Sequence, residues 1–469
     1  MQTDCTSDQI EFQGFGRRRV VAHFDAGRTS SDGGVLLLRE VAERTGWLGR
    51  FAACFRDGRD ALRIEHTTRE LVSQRVLGIA LGYEDLNDHE TLRDDALLAL
   101  ASGKRDVTGA ARVRERDRGH ALAGKSTLNR LEHGRGKSPR YHRIAADERA
   151  IERHFVDCML DAHAQPPARI VLDLDATDDP LHGHQEGRFF HGYYGSYCYL
   201  PLYIFCGDHL LVAKLRTADQ DAAAGSVEEL TRVVTQIRSR WPAVEIWIRA
   251  DSGFAREAIM AWCEANDVHY VLGLAKNARL RRAIGGALAE AEAEHRTTQA
   301  PARRYRDFTY RTRKSWSRER RVVGKGEWLP GKSNPRFVVT SLAAADYDAP
   351  TLYEKIYCAR GDMENRIKEQ QLALFADRTS TATLRANQLR LWFSSMAYVL
   401  MAQLRRIGLA DTALANAQAG TIRLRLFKIA AIVRISARRI AISFSSVYPL
   451  QRLFAAVLAQ LRRALPLPN

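Results

Sequence analysis

Three acidic positions have the type and spacing to do chemistry. In the run LDLDAT, Asp173 and Asp175 stand two apart in a β-like stretch and so share one face. A carboxylate facing out of so apolar a strand is costly unless it is paired or holds a metal. Asp251 closes the run VEIWIRAD, and ligand sites of open α/β sheets lie at the carboxyl ends of strands. Glu364 follows on a predicted helix with Tyr357, Arg360, Lys368 and Gln371. Offsets of 3, 7, 11 and 14 from Tyr357 put these residues on one helix face. Such a face laid over strand-end carboxylates suits a hard divalent cation, which prefers carboxylate oxygens. Two such ions about 3.5–4 Å apart activate an attacking water or 3′-hydroxyl and stabilise the leaving oxygen of a phosphodiester. Mg²⁺ is the expected ion, with Mn²⁺ as a substitute. Arg360 and Lys368 would then hold phosphate, the first as a fork and the second as a point charge. Plainer readings exist. A lone Asp at a strand end is commonly a turn former. Arg360, Glu364 and Lys368 also make an ordinary i, i+4 ladder, worth about 0.3–0.5 kcal/mol per pair.

The elements that must position these residues follow from pattern. Residues 166–377 alternate strands and helices, as in an α/β layer architecture. ARIVLDLDAT is a buried strand, and 197–205 and 209–216 are two more about a Gly207-Asp208 turn. An amphipathic helix is expected over 226–239, then the strand VEIWIRAD, the helix REAIMAWCEAND and the strand VHYVLGLA. A polar, basic segment from about 276 to 334 interrupts the pattern. Its alternation (Tyr305, Phe308, Tyr310, then Arg321-Val322-Val323) predicts an inserted, mainly β element. FVVTSL resumes the core, and a helix is expected over about 352–375.

Residues 1–165 are expected to be mostly helical. Asp32-Gly33-Gly34 opens a helix through Val35, Leu38, Val41 and Trp47, and Thr67-Thr68-Arg69-Glu70 is a capped start for a second that ends at Gly82. DHETLRDDALLALA is a third, running to Gly103, and Lys125–Glu132 a fourth. Residues 378–469 are expected to hold a helix over about 384–407, two β-like runs (TIRLRLFKIA and ARRIAISFSS) and a last helix over 450–465.

The chain has 469 residues, with 71 Lys+Arg against 55 Asp+Glu and a net charge of +16. A hydrophobic fraction of 45% and a charged fraction of 27% exclude a disordered or fibrous chain. No apolar run reaches the roughly 18 residues of a membrane span, and the polar start MQTDCTSDQIEFQ lacks the plan of a secretory signal. A soluble protein that stays where it is made is expected. Cys5, Cys54, Cys158, Cys198, Cys206, Cys263 and Cys358 are scattered and form no C-x-x-C pair. They indicate neither a disulfide framework nor a zinc site and fit a reducing cytoplasm. The charge is segregated. Residues 101–140 hold 11 basic and 4 acidic side chains, residues 303–325 hold 10 and 2, and residues 378–469 hold 14 and 1. The remaining 314 residues carry −12. Basic windows around an acidic remainder point to a polyanionic partner.

Taken in order, D-A-T after a strand, R-A-D-S-G-F, and Y-C-A-R-G-D-M-E-N-R-I-K-E resemble the DDE transposases of bacterial insertion sequences. Tyr357, Arg360 and Glu364 fit that group's Y-x2-R-x3-E signature. The contexts DLDATDDPLHGHQEG and CYLPLYIF are most similar to the thirteen-eighty family, and the resemblance runs from about residue 14 to 461. It implies an α/β fold with an RNase H-like catalytic core at 166–377, interrupted by the mainly β insertion. A mostly helical DNA-binding and assembly region (1–165) would precede it, and a basic α+β region (378–469) would follow. It implies that Asp175, Asp251 and Glu364 are the catalytic, metal-binding triad. Asp175 is preferred over Asp173 because D-A-T matches the family's D-x-T. The family pattern often places a Lys seven positions after the Glu, where this chain has Gln371; Lys368 is the nearest Lys.

In related cut-and-paste enzymes an aromatic residue of the insertion stabilises a flipped base. Trp316 in RKSWSRER, flanked by Arg313 and Lys314, is the candidate here, with Trp328 as the alternative. Stacking a base on such a ring is worth about 1–3 kcal/mol; the plainer reading is a buried sheet Trp. His182 and His184 are read as part of a rim loop, and HGYYGSY lacks the pattern of a nucleotide P-loop. The implied activity is Mg²⁺-dependent DNA strand cleavage and strand transfer. The implied partners are terminal inverted repeats and target DNA, bound by a homodimer or higher assembly, with no membrane. The implied place is the nucleoid of a bacterial cytoplasm. A catalytically silent DNA-binding regulator and a structure-selective nuclease on the same fold are the rival readings. Binding without cleavage would mark the first, and cleavage at flaps irrespective of terminal sequence the second.

Overall fold

The computed structural model describes residues 9–134 and 142–465. Cys5, Arg135, Lys137 and Arg140 lie outside them. The chain separates into two compact units. One is continuous, Ala146–Ala402, and the other joins Met1–Ala145 to Gln403–Asn469.

In the continuous unit the apolar runs become strands of one sheet. They are β1 (Arg169–Ala176), β2 (Leu202–Cys206), β3 (His209–Lys214), β4 (Glu245–Ala250), β5 (His269–Leu274), β6 (Ala302–Tyr310), β7 (Arg320–Leu329), β8 (Lys332–Ser333) and β9 (Arg336–Thr340). Their order is β3-β2-β1-β4-β5-β9-β7-β6, with β8 paired to β7. β1, β4 and β5 run parallel, and β2 is antiparallel to both its neighbours. Period-two alternation decides what each face does. Ile170, Leu172 and Leu174 of β1, with Ile246, Ile248 and Ala250 of β4, enter one apolar layer. Helices α1 (Glu148–Asp161), α2 (Ser226–Arg240) and α3 (Glu257–Ala265) cover it with Met159, Leu160, Val233, Ile237, Ile259 and Met260. The opposite face carries Trp247 and Val271 and is covered by Leu342, Leu352 and Tyr353. Asp173, Asp175, Arg249 and Asp251 fall on this second face by the same alternation.

Two expectations need correction here. The segment 276–334 holds helices Ala278–Ala283 and α4 (Gly285–Thr298) as well as strands. ALAEAEAEHR is rich in Ala and Glu, both strong helix formers, and that local preference outweighs the strand-like alternation further on. Its long strands continue the core sheet, since β9 pairs with both β5 and β7.

The discontinuous unit is built on helix Thr68–Leu81, buried from Leu71 to Leu81. Its start is a full capping box: Thr67 Oγ1 accepts from the Glu70 amide at 3.2 Å and Glu70 Oε2 from the Thr67 amide at 2.8 Å. The run DHETLRDDALLALA breaks into His89–Leu92 and Ala96–Ala101, because Asp95 caps the second piece by accepting from the Leu97 and Leu98 amides. The run TIRLRLFKIA, expected as β, is helical through Ala419–Ile422 and Arg423–Phe427. Its buried residues are Ile422, Leu426, Phe427 and Ile429, whose offsets of 4, 5 and 7 from Ile422 follow a helical spacing. The strands lie later, at Ala431–Ser436 and Arg439–Phe444, and the first pairs with Thr29–Ser30.

Gly34 starts helix Val35–Thr45 where no side chain fits. Its amide donates to the Phe427 carbonyl at 3.1 Å, and a Cβ there would drive into the Leu426 carbonyl. Gly34→Ala is expected to lower stability by about 2–3 kcal/mol, read as a fall in the thermal midpoint.

Two buried histidines give this unit an acid limit. Burial, with Lys104 and Arg112 nearby, drives His66 down to about 2; burial, with Arg75 nearby, drives His89 down to about 3. Each takes up a proton near 6.5 only when unfolded. Their contribution is therefore complete above about pH 6.5 and is lost as pH falls, at about 1.4 kcal/mol per pH unit for each. Thermal melts between about pH 6.5 and 5 should show this slope, and His89→Gln should halve it.

Candidate active site

The register of β1 and β4 brings two acids side by side. Leu174 pairs with Ala250 in parallel, so the next residues on the two strands are Asp175 and Asp251. Asp251 leaves the sheet and caps the turn Ser252–Phe254, its Oδ1 accepting from the Gly253 amide at 2.8 Å. Asp175 Oδ1 accepts from the Ala176 amide at 2.9 Å. Both occupy carboxyl ends of parallel strands, where ligand sites of such sheets lie.

The expected single helix over 352–375 is three pieces. Thr351–Tyr357 is a π-turn, Cys358–Arg360 a 3₁₀ turn, and α5 (Gly361–Leu374) an α-helix. Mixed turns of this kind gather at functional sites. They also alter the expected common face. Arg360 reaches both Asp175 Oδ2, at 3.1 Å, and Glu364 Oε1. Lys368 is exposed one turn later. Gln371 faces elsewhere, its amide donating to Asp179 Oδ1 at 3.0 Å. Asp179 is fully buried, so burial pushes its carboxyl well above the carboxylate range. Gln371 thus serves a buried acid, and a Lys there would place a full charge against it.

Asp173 has a different task. Arg249 grips it through two bonds, Nε to Oδ1 at 2.5 Å and Nη2 to Oδ2 at 2.8 Å. The third nitrogen of Arg249 donates to the Ile356 carbonyl at 2.6 Å. This pair therefore ties the π-turn, and Tyr357 at its end, to the sheet. Arg249 was legible in principle: it is a charge inside the apolar run VEIWIRAD, two residues before Asp251. Tyr357 leans over Gly273, where a Cβ would lie 2.5 Å from its hydroxyl. Beside it opens a cleft of about 310 Å³ lined by Ser252, Lys276, Arg336 and Tyr357, among others. Lys276 and Arg336 are cations near Asp251 that spacing did not single out.

The electrostatics suit a small divalent cation. Burial lifts Asp175 to about 6, and the charges of Asp251 and Glu364 add to the shift, against Arg360. Burial opposes the charge of Arg360, yet Asp175 and Glu364 hold its guanidinium above the ordinary value. Two adjacent hard oxygen donors that crowd one another's charge fit Mg²⁺. Arg360 occupies Glu364, and among the described residues no three His, Cys, Asp or Glu side chains are gathered tightly enough to hold an ion.

Trp316 does not join this site. It is 5% exposed, packed edge-on to Tyr310 with ring centres 5.7 Å apart, and the Arg320 guanidinium lies 5.4 Å from its ring centre. On its C-terminal side the flanking charges are paired: Arg320 binds Glu257 and Glu264, and Arg318 binds Glu264. Arg303, Arg304, Arg321 and Lys325 are paired as well. The exposed charge of the window rests more on Arg313 and Lys314.

An α/β sheet with acids at the ends of adjacent parallel strands, overlaid by a Tyr-Arg-Glu helix, defines a class of carboxylate site suited to metal-assisted chemistry. The chain belongs to the DDE transposases: the model of the transposase DDE domain, group 1, matches residues 12–466. No curated protein matches the chain. Among solved structures, a piggyBac transposase synaptic complex with hairpin DNA matches at 10% identity and a TM-score of 0.39, over 93% of this chain and 82% of that one. Among the described residues no helix is long and apolar enough to cross a membrane.

Proposed function

We propose that this chain is the transposase of an insertion sequence, which cuts DNA at the ends of its element and joins them to a target. One observation carries the reading: Asp175 and Asp251 are register neighbours on parallel strands, and Arg360 bridges Asp175 to Glu364. The order β3-β2-β1-β4-β5, with β2 alone reversed, supports an RNase H-like core. Asp175, Asp251 and Glu364 would hold Mg²⁺. The ion supplies an activated water or 3′-hydroxyl and neutralises the leaving oxygen.

The chain's own residues do the rest. Arg360 stands in for a cation between Asp175 and Glu364; once released, its fork is free for a phosphate. Lys368 is exposed one turn along the same helix, and Lys276 and Arg336 line the cleft beside Tyr357. Terminal repeats and target DNA are the partners, held by a dimer or larger assembly. The test is strand cleavage by the purified protein on DNA cloned from both flanks of its coding sequence. Mg²⁺-dependent nicks at inverted repeats are expected. Cleavage indifferent to those repeats would overturn the reading.

A further inference from the structure

Between β1 and β2 the chain leaves the core and builds a small sheet: Asp179–Pro180, Ser196–Tyr199 and Phe189–His191, in that order. The hairpin formed by the last two presents aromatic rings to solvent. Phe190 pairs in register with Tyr197, so both lie on one face, with ring centres 5.5 Å apart. The Arg188 guanidinium sits 4.2 Å over the Tyr197 ring and is held there by a 2.7 Å bond to the Gly183 carbonyl. At the tip, Tyr193 is 86% exposed, and Phe189 and Phe190 are about half exposed. A large exposed apolar patch marks a binding surface.

Its chemistry says which kind. The exposed large apolar side chains of the hairpin are all aromatic, Phe189, Phe190, Tyr193 and Tyr197, so the surface offers π-systems on which bases stack. From 187 to 199 the sequence GRFFHGYYGSYCY has no acid and one Arg, which suits a polyanion. Its place is also telling. Tyr194 packs with Ala176 against Cys198, Leu200 and Ala218, and Ala176 directly follows Asp175. Burial lifts the Tyr194 hydroxyl to about 12, and the charges of Asp178 and Asp175 add to it.

We propose that the hairpin Arg188–Tyr199 is a stacking platform for the bases of an unpaired DNA strand beside Asp175, with Phe190 and Tyr193 as its rings and Tyr197, under Arg188, holding Phe190 in place. Every base has a π-face, so such a platform tolerates sequence and prefers single strands over duplex. It rests on the transposase reading for the identity of the nucleic acid. A metal-free assay separates the two.

The full chain is titrated in EDTA with a blunt duplex and with the same duplex carrying a short unpaired extension labelled with 2-aminopurine. The extension should raise affinity about tenfold and its fluorescence should be quenched on binding. Phe190→Leu with Tyr197→Leu keeps apolar bulk and removes the π-faces; it should return affinity to the blunt-duplex level and abolish quenching. Tyr193→Leu, at the exposed tip, gives a partial loss without risk to folding, and Phe190→Tyr retains binding. Blunt-duplex binding with no gain from the extension overturns this inference alone. So do Leu variants that bind the extension as the parent does, or that change only oligomeric state, which would mark a contact between copies. Failure to bind any DNA overturns the transposase reading together with it.

Discussion

Asp251→Asn is expected to leave a folded, DNA-binding protein whose Mg²⁺-dependent cleavage falls by roughly a thousandfold or more. A ligated cation contributes several kcal/mol of charge stabilisation in the transition state, and about 4 kcal/mol is a thousandfold in rate. The substitution is mild elsewhere. Asn keeps the Oδ1 that accepts the Gly253 amide, so the cap of Ser252–Phe254 survives. One fewer negative charge beside a polyanion does not weaken binding. Single-turnover cleavage, read beside a binding isotherm and a melting curve, separates these effects. Undiminished cleavage would remove Asp251 from the site.

Asp173→Ala should fail in the opposite way, by unfolding. It strands Arg249, whose side chain is only 11% exposed, without its carboxylate. Removing one partner of a buried pair costs about 3–5 kcal/mol. For a unit of this size that is a fall of about 10 °C in thermal midpoint. Replacing both partners by apolar residues of similar volume, Asp173→Leu with Arg249→Met, should recover much of the loss. The π-turn would then lack its tie at the Ile356 carbonyl, so activity should stay low while stability returns. If Asp173→Ala melts like the parent, the pair is not the anchor described.

These contrasting roles show where sequence reading reaches its limit. Asp173 and Asp175 share a face in LDLDAT, and within that run only the match of D-A-T to the family pattern tells them apart. The distinction comes from Arg249, 76 positions away, which stands opposite Asp173 across a parallel pair. The strands were legible because β1, β4 and β5 are buried and apolar over most of their length. The capping box of Thr67 and Glu70 was legible because its partners are three residues apart. Trp316 is buried although charges flank it, and Arg318 and Arg320 after it pair with Glu257 and Glu264, some 60 positions back, which local sequence does not encode. TIRLRLFKIA misled because its alternation is compatible with both periods. Arg423 from that run donates to the Ala80 carbonyl at 2.9 Å, a distant contact the local pattern does not encode.

The discontinuous unit sets a clock on synthesis. Asp32, 1% exposed, acquires its ammonium partner only with Lys428, at 2.6 Å, and Thr29–Ser30 finds its neighbouring strand only with Ala431–Ser436. The ribosome must first make the 257 residues from 146 to 402. At about 5–20 residues per second that is a delay of roughly 13–50 s. Throughout this interval Asp32 has no Lys428 to pair with, while the middle unit gains the last strand of its sheet once Thr340 is made. A chain ending just after residue 402 would hold every residue of the continuous unit but only part of the discontinuous one, the form most open to chaperones and proteases.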